Sequence, residues 1–95
     1  MTVRLTGLAV SDLREIRDDY RAIDDDIERR FLDQFDLVVE RLISFPRGAP
    51  PVDGLPDVRG ARMHPLPYGI FYRLDRDDIL ILRVLHSRRD ASDLA

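Results

Sequence analysis

The chain is 95 residues long and 44% hydrophobic, enough for one core and too short for two, so a single domain over residues 1–95 is expected. It has no cysteine, which excludes disulfides and thiolate metal sites, and no lysine, which excludes lysine chemistry and makes arginine its only permanent side-chain cation. The net charge of −3 hides a division: residues 1–57 hold 8 arginines against 13 acids, whereas residues 58–89 hold 7 arginines against 3 acids.

The N-terminus lacks an apolar run of signal-peptide length, and no stretch approaches a membrane span, so a soluble cytoplasmic protein is expected. Residues 3–8 alternate weakly and predict a short strand, with Ser11 or Asp12 capping the helix that follows. Leu13, Ile16, Tyr20 and Ile23 then recur at steps of 3, 4 and 3, one apolar stripe on a charged helix. Asp24, Asp25 and Asp26 break the pattern and suit a second helix N-terminus, where carboxylates accept from unpaired amides; Glu28, three after Asp25, resembles a capping box. The stripe of this second helix is Ile27, Phe31, Phe35, Val38, Leu42 and Phe45, and Pro46 ends it. So short a joint predicts an antiparallel helical hairpin sharing an apolar seam. Arg14 with Asp18, and Arg17 with Arg21, read as solvated surface carrying weak ion pairs.

Residues 47–57 contain Gly48, Pro50, Pro51, Gly54 and Pro56 and read as a loop. Residues 58–66 predict a strand interrupted by Gly60 and closed by Pro65. An aromatic-rich strand starts after Pro67, the run Asp75-Arg76-Asp77-Asp78 makes a turn, and an aliphatic strand follows from Ile79. Alternation sends Tyr68, Ile70, Tyr72 and Leu74 toward the hairpin and Phe71 and Arg73 to the other face. On the last strand it places Leu80, Leu82 and Val84 on one face and Ile79, Ile81 and Leu85 on the other, which implies a central or doubly covered strand. The expectation is an α+β fold in the order β-α-α-β-β-β, the hairpin lying on one face of a largely antiparallel sheet.

The last strand delivers His86, Arg88, Arg89 and Asp90 to its exposed end, which concentrates ionisable groups where a buried strand meets solvent. His86 has two readings: an acid–base group at an open strand end, or a structural residue hydrogen-bonding Asp90 or a backbone carbonyl. Arg89 and Asp90 read equally as a pair that pins the C-terminus. Arg73 and Arg83 occupy strand positions, where burial without a carboxylate is costly, so each should meet an acid from the helices or open into a cationic groove. His64 and His86 are the only histidines and lie far apart; no metal or cofactor is expected.

The helical hairpin with "DLREI", the Pro/Gly-rich crossing, the "R-x-H-P-L-P-Y-G-I-F-Y-R" strand and the "V-L-H-S-R-R-D" end together resemble the ParE/RelE superfamily of bacterial toxins, closer to the ParE branch. This resemblance implies the toxin of a type II toxin–antitoxin pair, neutralised by a cognate antitoxin encoded beside it, in a toxin–antitoxin hetero-oligomer. For the ParE branch it implies inhibition of DNA gyrase by binding, linked to growth arrest and stress response, with Arg83, His86, Arg88, Arg89 and Asp90 as target-binding candidates. For the RelE branch it implies a ribosome-dependent messenger RNA endonuclease. Here His86 and Tyr72 would be the proton-transfer groups, with Arg73, Arg83, Arg88 and Arg89 as phosphate clamps. The missing lysines, and the lack of an aromatic residue beyond Tyr72, depart from the RelE pattern. A third reading is an antitoxin-binding relic without toxicity. Direct nucleic-acid binding is expected only on the RelE reading.

Overall fold

The computed structural model describes residues 1–88 and Leu94. In chain order its elements are β1 (Val3–Leu5), α1 (Gly7–Ile23), α2 (Asp25–Ser44), β2 (Pro51–Val52), β3 (Leu55–Arg62), β4 (Tyr68–Asp75) and β5 (Asp78–His86). This is the expected α+β order, with β2 added inside the segment read as a loop. The sheet runs β1-β5-β4-β3-β2, with β1 parallel to β5 and the remaining pairs antiparallel.

Several boundaries differ from the sequence expectation for local reasons. Thr6, not Ser11 or Asp12, caps α1: its hydroxyl accepts from the Ala9 amide at 3.1 Å and donates to the Leu82 carbonyl at 2.7 Å, which ends β1 at Leu5 and frees Asp12 for another role. The Asp24 carboxylate caps α2 by accepting from the Asp26 amide at 2.8 Å. In the Pro/Gly segment, the Pro50 carbonyl accepts from the Gly60 amide at 3.1 Å, and Gly54, at φ +81°, turns the chain so that β3 begins at Leu55 rather than at 58. β3 ends at Arg62, ahead of a turn whose prolines, Pro65 and Pro67, have no amide to donate to a ladder.

Glu28 closes no capping box. Its carboxylate reaches across the joint and accepts from Arg21 at 2.6 Å and from Arg17 at 3.1 Å, so these arginines clamp α1 to α2. The hydrogen bond from Arg21 holds the Glu28 carboxyl below its ordinary value, against the opposing effect of burial. A lowered folded-state value means that the clamp is fully present above the ordinary glutamate range and is lost as pH falls through the lowered one. Glu28→Gln is therefore expected to lower the thermal midpoint near neutrality and to flatten its decline between neutral pH and acid, read from melts across that range.

Both helices lie on one face of the sheet. Ala9, Ile16, Phe31, Val38 and Leu42 pack there with Ala61, Met63, Ile70, Tyr72, Ile79, Ile81 and Val84. The stripes overrun this contact at their ends: Ile23 is 71% exposed and Phe45, the C-cap of α2, is 67% exposed, although periodicity placed both in the core. The simple alternation of the last strand also fails. Phe71 pairs with Arg83 but Tyr72 with Ile81, so Leu82 is an extra residue in a β-bulge. The bulge reverses the facing of everything after it. Val84 joins Ile79 and Ile81 in the core, and Leu85 turns to the opposite face beside Phe71.

Candidate functional site

The bulge also explains how the last strand is held. β1 covers β5 only through Ile81, leaving the rest of that edge without a neighbouring strand. Asp12 of α1 takes the vacant place. Its carboxylate accepts from Arg83 Nε at 2.8 Å, from Arg83 Nη2 at 3.0 Å and from the Val84 amide at 3.0 Å. Arg83 has thus found the helical carboxylate that its strand position demanded, with side chains 17% and 12% exposed.

His86, half-buried, stands edge-on to Tyr68 with ring centroids 5.3 Å apart. Tyr68 continues an aromatic chain to Phe31 and Tyr20 of the hairpin, at 5.8 and 6.2 Å. Burial, reinforced by Tyr20 and the carboxylate of Asp19, raises Tyr68 above the ordinary tyrosine value. The His86 Nδ1 accepts from the Arg88 amide at 3.1 Å, which fixes the chain's exit from β5. Its described hydrogen bond is therefore structural, but as an acceptor from a backbone amide rather than a donor to a carbonyl or to Asp90. Arg89 and Asp90 lie outside the described residues.

The remaining sequence candidates do not join His86. Tyr72 is fully buried, and its hydroxyl donates to the Pro46 carbonyl at 2.7 Å; burial raises it above the ordinary tyrosine value. It pins the crossing loop together with Arg59, which donates to the Arg47 and Ala49 carbonyls at 3.0 and 2.7 Å. Arg73 is exposed, two residues beyond Phe71 on the face away from the helices. Arg88 is exposed at the end of β5.

Two grooves flank β3. One, about 630 Å³, lies between the second half of α2 and the edge of β3 and is lined by Val38, Leu42, Phe45 and Ala61 with Arg41 and Arg62 at its rim. The other, about 440 Å³, opens on the helix-free face around Phe71 and reaches His86. Both include Gly60, Arg62 and His64, so they meet at the β3 edge. Sequence reading missed the first groove because Phe45 looked like core; the only signal was its position directly before Pro46 at a helix end.

Compared with known proteins, the chain matches the family model described as ParE toxin of type II toxin-antitoxin system, parDE, over residues 3–91. Among solved structures, one described as the chromosomal ParDE TA system from P. aeruginosa has a TM-score of 0.77 and covers 90% of this chain and 95% of its own. At 24% sequence identity, that likeness is one of fold. No curated protein matches significantly.

Proposed function

We propose, since this chain belongs to the ParE toxin family of type II toxin–antitoxin systems, that it binds DNA gyrase and blocks its cycle, and that a cognate antitoxin neutralises it. The family match over residues 3–91 carries the toxin assignment. Binding is favoured over message cleavage by the state of three nuclease candidates, the proton-transfer groups Tyr72 and His86 and the phosphate clamp Arg83. Tyr72 is buried with its hydroxyl committed to Pro46, Arg83 is held by Asp12, and His86 Nδ1 is occupied by the Arg88 amide. RNA cleavage needs an acid and a base around one phosphate, and these groups do not converge on one. On this reading Arg88 contacts the target, Arg89 and Asp90 remain target-binding candidates from the sequence alone, and His86 shapes the end of β5 that leads to Arg88.

The antitoxin would lay an apolar helix or an added strand in the groove between α2 and β3. The apolar lining suits helix-in-groove docking, and the register turns the Arg62 amide and carbonyl away from β4, toward the side where a strand could be added. Acidic residues in the antitoxin segment would complement the arginine-rich half and speed association. No helix among the described residues is long and apolar enough to cross a membrane; membership of the ParE toxin family is what supports action in the cytoplasm as a toxin–antitoxin hetero-oligomer.

Induced expression in bacteria tests this directly. Growth arrest with DNA-damage signalling, relieved by co-expressed antitoxin, is the expected result. His86→Ala is expected to leave most of that toxicity in place; if toxicity vanished with it and messages were found cut in the wild type, the nuclease reading would replace this one.

A further inference from the structure

The sheet face that carries no helix is organised around Phe71. Gly60 stands opposite it on β3 and Gly69 two residues before it on β4, and the ring spans both: a Cβ at Gly60 would lie 3.1 Å from its Cε1, and one at Gly69 3.5 Å from its Cε2. The two glycines are thus a floor for the ring. The groove above, about 440 Å³, contains no aspartate or glutamate in its lining, although the chain has 18 acids. Its charged or chargeable members are Arg62, His64 and His86.

Register places two guanidiniums on the same face as this ring. Arg62 pairs with Gly69, and Arg73 follows Phe71 by two residues on β4. A rise of about 3.4 Å per residue puts their rows roughly 7 Å to either side of the ring. Both are exposed and neither forms an ion pair among the described residues. An aromatic ring between two exposed guanidiniums, of which Arg62 lines a groove without acids, complements a stacked base with phosphates on either side.

We propose that this face is a binding site for single-stranded nucleic acid, in which one base stacks on Phe71 and the neighbouring phosphates are held by Arg62 and Arg73. The site binds and does not cleave, and it is independent of the gyrase reading. An acidic protein segment is the competing occupant, disfavoured because a base offers the ring a flat π-face that an acidic side chain lacks.

The test is fluorescence anisotropy of the purified full chain with labelled oligothymidylate and oligouridylate, in low and rising salt. A 2-aminopurine probe within the oligonucleotide reports stacking. Saturable binding is expected, with 2-aminopurine quenched on the wild type. Phe71→Leu keeps an apolar cover on the glycines and should weaken binding about ten-fold and remove the quenching. The double variant Arg62→Gln, Arg73→Gln alters only exposed side chains. It should weaken binding and reduce the salt slope by about 1.4. Arg14→Gln, on the helical hairpin, should change neither. Binding of one oligonucleotide or both upholds the site and distinguishes DNA from RNA. The proposal is overturned by no binding of either at low salt, by affinity and slope unchanged in the variants, or by capture of oligoglutamate in their place.

Discussion

Asp12→Ala is expected to destabilise the protein by about 3 kcal/mol. The substitution removes two hydrogen bonds to a mostly buried guanidinium and the acceptor of the Val84 amide, all at the point where β5 loses its neighbouring strand. Charge-assisted bonds of this kind contribute more than neutral ones, and removing one partner of a desolvated pair costs more than the pair was worth. Asp12→Asn should recover part of the loss, since an amide oxygen can still accept from Val84 but cannot neutralise Arg83. Urea unfolding reads both variants through a shift in midpoint at constant slope. A midpoint unchanged in Asp12→Ala would mean that the pair behaves as an ordinary surface contact and that the bulge is held by other means.

Phe45→Ala is expected to weaken antitoxin binding by about 100-fold, because an exposed aromatic side chain at an apolar groove is the type of residue that dominates interface energetics. At 67% exposure the side chain contributes little to the core, so stability should fall only slightly. Isothermal titration with purified antitoxin separates the two effects, and a melting curve close to that of the wild type shows that the groove, not the fold, was altered. Unchanged affinity would move the antitoxin to another surface.

Much of the fold was legible because helices and strands write their periods into the sequence. Phe31, Val38 and Leu42 recur at helical spacing and are buried; Ile70 and Tyr72 alternate as strand residues and lie against them. What escaped was set by single contacts between distant segments. The bulge at Leu82 leaves the composition of the strand unchanged, and only pairing with β4 shows that Val84 and Leu85 have exchanged faces. Thr6 outcompetes Ser11 and Asp12 as a cap because the Leu82 carbonyl, 76 residues away, accepts its hydroxyl proton. Glu28 looked like a local cap for its own helix, but arginines across the joint reach it.

The candidate site was legible in part for the same reason. That Arg83 needs a carboxylate follows from burying a guanidinium on a strand; that the carboxylate is Asp12 does not. The strand end did gather His86 and Arg88, while Tyr72, a plausible proton carrier by type, is placed by its alternation in the core. Phe71 is the converse case. Alternation put it on the far face, but its glycine floor and the absence of acids around it come from residues on four strands meeting in space.

The most direct test adds the purified, antitoxin-free protein to a gyrase supercoiling reaction, with the toxin–antitoxin complex as control and a ribosome-programmed messenger RNA digest in parallel. Supercoiling inhibited by the free protein, restored by antitoxin, with the message intact, is the predicted result. Undisturbed supercoiling beside a cleaved message would contradict it, and so would full gyrase activity with both substrates untouched.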